Sequence, residues 1–81
     1  MIVELKLFAL ARELAEADSL QIDVADPATI GSLRGCLAEE APALASIAGH
    51  LLFAVNSQYA GDETPIPAAS EVACFPPVSG G

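Results

Sequence analysis

The sequence ends in Val72-Ala73-Cys74-Phe75-Pro76-Pro77-Val78-Ser79-Gly80-Gly81, where an apolar segment meets two prolines and then two glycines. The first four of these residues have the composition of a buried strand. Proline has a fixed φ and no backbone N–H, so Pro76 and Pro77 continue neither a sheet ladder nor a helix. They favour an extended exit instead. This stretch therefore predicts a folded domain over residues 1–75 and a flexible tail over residues 76–81.

The tail has the length and composition of a segment that enters another protein. The six residues after Phe75 span at most about 20 Å when fully extended, and glycine lets a backbone pass through a space too narrow for a Cβ atom. We expect the carboxylate of Gly81 to be the reactive group. The threading segment would consist of Pro77, Val78, Ser79 and Gly80. A disordered chain end or a fusion scar is the alternative, because two terminal glycines arise by chance in roughly one chain in 200.

The residues before the tail alternate between strand patterns and helix patterns. Val3, Leu5 and Leu7 are separated by charged residues, which indicates a strand with one buried face. Residues 51–55 are apolar throughout and predict a strand covered on both faces. The predicted strands span residues 1–8, 20–24, 51–55 and 72–75, with a short strand about Tyr59. The predicted helices span residues 9–17 and 30–41, with a further helical turn over residues 43–48 that ends at Gly49.

The helix over residues 30–41 is the main helix. Its apolar stripe consists of Ile30, Leu33 and Leu37. Either Asp26 or Thr29 caps it, and Thr29 is favoured. Gly31 and Gly35 lie four residues apart, which permits close packing, although simple drift on a solvent face is the preferred interpretation. The pattern as a whole is α+β, with one mixed sheet packed on one main helix plus short helices.

Composition limits the classes of partner. A chain of 81 residues forms one domain. The net charge is −8, which argues against nucleic acid, since phosphate binding needs clustered basic residues. A basic protein partner and simple solubility are both compatible with this charge. No segment has the length of a membrane span or the pattern of a signal peptide, so we expect a cytoplasmic chain.

Side-chain catalysis is poorly supported. His50 is the single histidine, so a His-activated nucleophile has no second candidate. Cys36 and Cys74, with that histidine, do not make a credible zinc site, and we expect no metal. Both thiols are interpreted as buried small hydrophobes without a disulfide. Two acidic pairs, Glu39-Glu40 and Asp62-Glu63, are interpreted as solvated surface charges. The chain is therefore expected to be non-catalytic by itself.

Four segments carry a resemblance to a known family. They are Phe75-Pro76-Pro77-Val78-Ser79-Gly80-Gly81, Leu7-Phe8-Ala9-Leu10-Ala11-Arg12-Glu13-Leu14, Leu52-Phe53-Ala54-Val55-Asn56 and Ser70-Glu71-Val72-Ala73. In this order, and over nearly the whole chain, they resemble the small, sulfur-carrying subunit of molybdopterin synthase. Ala69-Ser70 departs from the usual Gly-Asp, which puts the turn before the last strand in doubt. Cys74 replaces a more usual apolar or aromatic residue.

The resemblance implies a ubiquitin-like β-grasp fold in which the last strand lies parallel beside the first. It also implies that an ATP-using partner, with Mg, adenylates Gly81 and that sulfur then gives a thiocarboxylate. The large synthase subunit would receive the tail, and the thiocarboxylate would donate sulfur to cyclic pyranopterin monophosphate. This chain itself would bind no cofactor. If the first and last strands are adjacent, Phe8, Arg12, Phe75 and Pro76 flank the start of the tail and bind the partner; for the two phenylalanines, ordinary core positions are the alternative.

Two other functions remain open at this point. The chain could be a sulfur carrier for thiamine synthesis or for tRNA thiolation. It could also be a ubiquitin-like modifier that is joined to lysines of target proteins through Gly81. All of these begin with the same adenylate, so the sequence does not separate them by chemistry.

Overall fold

The computed structural model describes residues 1–77, which form one mixed sheet of five strands with helices. The strands are β1 (Ile2–Leu7), β2 (Ser19–Asp23), β3 (Leu52–Val55), β4 (Gln58–Ala60) and β5 (Val72–Phe75). The helices are α1 (Ala9–Ala15), α2 (Ile30–Glu40) and two 3₁₀ helices, Pro42–Leu44 and Ala48–His50. The α+β class and the order of elements are confirmed. Within residues 1–77, no helix has the length and apolar character needed to cross a membrane.

The sheet has the strand order β2-β1-β5-β3-β4. The first and last strands pair in parallel, with Leu5 opposite Val72 and Leu7 opposite Cys74. Every other pairing is antiparallel: β1 with β2, β3 with β4, and β3 with β5. The expected parallel neighbourhood of the two terminal strands is therefore confirmed. It places the end of β5, where the tail begins, in the middle of the sheet.

The core lies on one face of the sheet. Alternate residues of β1, β3 and β5 are buried, and they form one apolar cluster with three residues of α2. Its largest fully buried members are Phe53, Leu5, Leu7, Ile30, Leu33, Leu37, Leu44, Leu51, Val72 and Cys74. Burying one such leucine contributes about 1.5–3 kcal/mol. The prediction that β3 is covered on both faces is wrong, because Leu52 stays 38% exposed. Its side chain belongs to the opposite face, where Ala54 is only half-buried.

Two helical boundaries differ from the sequence prediction. Helix α1 ends at Ala15 rather than at residue 17, because Glu16 adopts φ 54° and turns the chain into the left-handed region. The helical turn expected over residues 43–48 is instead two separate 3₁₀ helices. Gly49 does not end a helix as expected; it lies inside the second of them.

The N-terminus of α2 is fixed by a capping box, as predicted for Thr29. The Ser32 N–H donates to Thr29 Oγ1 at 3.2 Å, and the Thr29 N–H donates to Ser32 Oγ at 2.9 Å. The next backbone donors are taken by the loop after β4: Ile30 N–H donates to the Thr64 carbonyl, and Gly31 N–H donates to the Asp62 carbonyl at 2.9 Å. Because helix N-termini leave such donors without intrahelical partners, this loop completes the cap.

The expectation that Gly31 reflects simple drift on a solvent face is wrong. A Cβ atom at this position would lie 3.1 Å from the backbone oxygen of Asp62 and 3.3 Å from its Cβ. The glycine therefore allows the loop to approach the helix closely enough for the Asp62 carbonyl to accept a hydrogen bond from the Gly31 N–H. Gly35 differs, because nothing lies within 4 Å of a Cβ atom built there, and the drift interpretation holds for it.

Arg34 makes a set of contacts that the sequence gave no reason to expect. Its Nη1 donates to the carbonyls of Ala48 at 2.7 Å and Leu51 at 2.9 Å. Its Nη2 and Nε donate to Asp62 Oδ1 at 2.8 and 3.1 Å. The guanidinium also lies 4.9 Å from the centre of the Phe53 ring. One side chain thus ties α2 to two separate loops. Asp62 is an exposed surface charge, as predicted, but its pairing with Arg34 was not foreseen.

The turn before β5 contains a residue with a left-handed backbone conformation, although that residue is not glycine. Ala69 has φ 62°, a region that costs a residue with a Cβ atom about 1–2 kcal/mol. The hydroxyl and the N–H of Ser70 both donate to the Pro67 carbonyl, at 2.5 and 3.2 Å. These hydrogen bonds close the turn and hold Ala69 in its strained conformation.

Replacing each of the two helix glycines with alanine gives a matched test of this packing. Alanine is favoured over glycine inside a helix by about 1 kcal/mol, so we expect Gly35→Ala to raise the free energy of unfolding. Gly31→Ala should lose that gain, because the new methyl group meets a backbone carbonyl that is already held by a hydrogen bond. Urea denaturation of both variants measures the difference. Equal stabilisation by the two substitutions would contradict a close approach at Gly31.

Candidate functional site

The ends of β1 and β5 lie side by side and define where the tail begins. The last paired residues are Leu7 and Cys74, so Phe8 follows β1 directly and Phe75 is the last residue of β5. Phe8 keeps an extended backbone, with φ −131° and ψ 155°, before α1 starts. Its side chain is 48% exposed, so the alternative that Phe8 is an ordinary core residue is wrong.

The side chain of Phe75 lies on the outer face of the sheet, which is the face opposite the core. It pairs with Leu52 of β3 and is half-buried. Its ring meets the ring of Tyr59 edge to face, with centroids 5.6 Å apart and planes at 67°. Such pairs add about 0.5–1.5 kcal/mol beyond the area that they bury. Phe75 is therefore partly supported by the fold and partly available to a partner.

The outer face beside the tail is apolar. The paired positions across β5, β3 and β4 on this face are Leu52 with Phe75, Ala54 with Ala73, and Ala54 with Tyr59. Tyr59 is 76% exposed. Contiguous exposed apolar residues of this kind mark interaction surfaces. Sequence reasoning did not single out Leu52 or Tyr59 as surface residues, because an apolar run such as residues 51–55 does not show which of its residues face solvent.

The other side of this surface is charged. Lys6 Nζ lies 3.4 Å from Glu71 Oε1, and Arg12 Nε lies 2.9 Å from Asp18 Oδ1. An open groove runs between them, lined by Glu4, Lys6, Leu7, Phe8, Arg12, Asp18 and Ser19. Two of the three positive side chains of an acidic protein thus lie at the edge where the tail begins.

The structure brings together the four residues predicted to bind a partner. Phe8 and Phe75 follow paired residues of adjacent strands, Arg12 shares a groove with Phe8, and Pro76 follows Phe75 and is half-buried. We call these four residues the tail-root surface. Pro77 is exposed. The remaining predicted site residues, Val78, Ser79, Gly80 and Gly81, lie outside the described residues.

The two thiols have different environments. Cys74 is fully buried, and burial raises its pKa from 9.0 to about 12. Its thiol therefore stays protonated at neutral pH, which removes the thiolate that a nucleophile or sulfur donor needs. Cys36 is half-buried, so the prediction of burial is correct for Cys74 and only partly correct for Cys36. His50 is exposed in the second 3₁₀ helix.

Comparison with known proteins gives consistent similarities. A family model described as ThiS family matches residues 5–81. The molybdopterin synthase sulfur carrier subunit of Escherichia coli is 38% identical over 81 residues, which is 98% of this chain and 99% of that protein. The crystal structure of small archaeal modifier protein 1 from Haloferax volcanii has a TM-score of 0.83 at 32% identity, covering 95% of this chain and 98% of the other. A chain from the complex of subunits 1 and 2 of molybdopterin-converting factor from Helicobacter pylori has a TM-score of 0.68 at 26% identity, covering 100% of both chains.

Alanine substitutions at neighbouring positions distinguish the tail-root surface from the core. Phe8→Ala removes a half-exposed ring and should lower the free energy of unfolding by less than about 1 kcal/mol. Leu7→Ala removes a buried side chain from the same strand end and should cost about 2–5 kcal/mol. Chemical denaturation of the two variants measures both values. If Phe8→Ala lowers the free energy of unfolding as much as Leu7→Ala does, then Phe8 is a core residue and not part of the tail-root surface.

Proposed function

The chain belongs to the ThiS family, and on that basis we propose that it is the sulfur-carrier subunit of a molybdopterin synthase. The observation that carries the proposal is the pairing of the two terminal strands, which starts the tail beside the exposed Phe8. This is the geometry that a domain needs if it docks by its surface and delivers its last residues into a partner's site. The match to a sulfur carrier subunit over 99% of that relative's length supports the same conclusion.

In this proposal the reacting group is the carboxylate of Gly81. A carboxylate oxygen attacks the α-phosphate of ATP bound with Mg on an activating partner, and pyrophosphate leaves. Sulfide from a donor then attacks the acyl carbon, the bond from that carbon to the AMP oxygen breaks, and AMP leaves. The product is a thiocarboxylate, a soft nucleophile that is ionised at neutral pH, as acidified thiols are. The thiocarboxylate sulfur bonds to a carbon of cyclic pyranopterin monophosphate, and water then cleaves the acyl–sulfur bond, which leaves the sulfur on the pterin and returns the Gly81 carboxylate. In the same proposal the chain binds no cofactor, and the pocket and the acid–base groups for sulfur transfer belong to the partner.

The large synthase subunit is the proposed partner for the tail-root surface. The Helicobacter pylori relative is part of a complex of two subunits, which supports docking of this kind. Interface energy concentrates in aromatic and arginine anchors, often at 2 kcal/mol or more each, and Phe8, Phe75 and Arg12 are side chains of these types. Pro77, Val78, Ser79 and Gly80 would then pass through a channel to the active site. A cytoplasmic location is part of the same proposal.

A second candidate function is protein modification. The similarity to small archaeal modifier protein 1, with a TM-score of 0.83 at 32% identity, favours it. The two functions share the adenylate of Gly81 and differ in the nucleophile that follows. A sulfur nucleophile gives the carrier, and an amine of a target protein gives the modifier. Sulfur at the end of the isolated chain and isopeptide-linked products are therefore the distinguishing observations.

Deletion of Gly81 tests the assignment of the reacting group. The variant should unfold at the same denaturant midpoint as the complete chain, because the core is formed by residues of the described domain. It should carry no sulfur after incubation with the activating enzyme, ATP and a sulfur donor, as judged by intact mass. A chain extended by one residue after Gly81 is the matched control and should behave identically. Full sulfur transfer by either variant would contradict the proposal.

Substitution of Gly80 tests the channel. Valine adds a branched side chain and excludes positive φ, and walls packed like a protein interior yield to such a change only with strain, typically about 1–3 kcal/mol. A displacement of the reacting atom by about 1 Å costs on the order of 100-fold in rate. Gly80→Val should therefore fold normally and dock, yet react slowly. Rates are measured with the activating enzyme and, separately, with a preformed thiocarboxylate and the large subunit; wild-type rates in both would refute a narrow channel.

A further inference from the structure

The protein contains a single lysine. Its three positive side chains are Lys6, Arg12 and Arg34, and guanidinium groups stay protonated and do not act as acceptors of acyl groups at neutral pH. The amine of Met1 is less accessible, because the side chain of its residue is only 17% exposed, and this amine also donates to the Val24 carbonyl at 2.7 Å. One side-chain amine therefore remains as a nucleophile for an activated carboxylate.

Lys6 is placed where an acyl group can reach it. It lies in β1 opposite Ala73 of the strand that leads into the tail, and its side chain is 48% exposed. The side chain borders the groove that also contains Phe8 and Arg12. Lys6 is therefore an accessible amine at the edge of the surface that the proposed function uses for docking.

Glu71 adds a proton acceptor next to this amine. Its Oε1 accepts a hydrogen bond from Lys6 Nζ at 3.4 Å. Glu71 is itself held at the start of β5, because its N–H donates to Asn56 Oδ1 at 3.0 Å and its carbonyl accepts from the Asn56 N–H at 2.7 Å. A carboxylate within hydrogen-bond distance of an amine can take the proton that the amine loses on acylation.

We propose that Lys6 is the acceptor of the activated C-terminus of a second copy of this chain. Nζ of Lys6 attacks the carbonyl carbon of the Gly81 adenylate, a C–N bond forms, the bond to the phosphate oxygen breaks, and AMP leaves. The Lys6 ammonium gives one proton to Glu71 before the attack, and the proton that the nitrogen loses on acylation follows the same route, with Glu71 releasing each proton in turn to solvent. The inference rests on the proposed activation of Gly81 with ATP and deepens the modifier candidate. Because each copy has one tail and one acceptor, the products are unbranched chains of copies.

The test separates the donor and acceptor functions onto two variants. The donor chain carries Lys6→Arg, which keeps the positive charge and the tail but removes the amine. The acceptor chain lacks Gly81 and keeps Lys6. With the activating enzyme and ATP, and without a sulfur source, the mixture should give one linked dimer whose mass is the sum of the two chains less one water. Each variant alone should give none, and fragmentation should place the link on Lys6.

Further variants show whether an unexpected result contradicts this inference or the proposed function. An acceptor chain that lacks Gly81 and also carries Lys6→Arg should give no dimer, and Glu71→Gln in the acceptor should slow linkage at least tenfold without changing pyrophosphate release by the donor. Dimers of the Lys6→Arg chain alone, or a wild-type monomer that has lost one water by cyclisation, would overturn the inference. Absence of linked species while wild-type chains still accept sulfur would overturn the inference and leave the proposed function intact. Linked dimers without any sulfur transfer would overturn the sulfur-carrier function and leave the inference standing.

Discussion

The parallel pairing of β1 with β5 is the constraint on which the rest of this structure depends. Parallel neighbours cannot be joined by a short hairpin, so every other element of the domain lies in the connection between these two strands. The pairing puts Leu5 beside Val72 and Leu7 beside Cys74, with all four side chains fully buried or nearly so. It also brings both strands to an end at the same edge of the sheet. The exposed Phe8 and the start of the tail are therefore neighbours as a consequence of the fold.

Arg34 and the loop after β4 hold the long connection in place. A guanidinium group has five N–H donors in a fixed fork. Arg34 makes four hydrogen bonds: one each to the carbonyls of Ala48 and Leu51, and two to Asp62 Oδ1. The side chain is only 21% exposed, so its hydrogen bonds are worth more than those of an ion pair fully in water. The close approach at Gly31 and the capping box at Thr29 fix the same region from the backbone. In this way α2 is tied both to the loop that precedes β3 and to the loop that precedes β5.

The sequence predicts the parts of this fold that are set by local chemistry. Alternation identified β1, the Thr29 cap identified the start of α2, and Pro76 identified the end of β5, because each signal comes from a few adjacent residues. The contacts of Arg34 and the close approach at Gly31 were missed, since they join residues about 14–31 positions apart and depend on a loop path that no local pattern encodes. The outer-face residues Leu52 and Tyr59 were missed for a related reason. An apolar run such as residues 51–55 does not reveal whether one face or both faces are covered until its neighbours in the sheet are known.

The three positive side chains differ in how firmly the fold holds them, and this difference affects how they can contact a partner. Lys6 and Arg12 form single ion-pair contacts in which both partners are largely exposed, and such pairs contribute little to stability. They can therefore exchange Glu71 and Asp18 for groups on a partner at small cost. Arg34 is committed to the fold through several hydrogen bonds and the Phe53 ring. The chain has 11 acidic residues against three positive ones. A partner that docks beside the tail therefore meets exchangeable cations there and an excess of carboxylates elsewhere. Complementary charge on the partner would then raise the rate of association and fix its orientation, while the apolar outer face and the aromatic residues at the tail root supply the contact area.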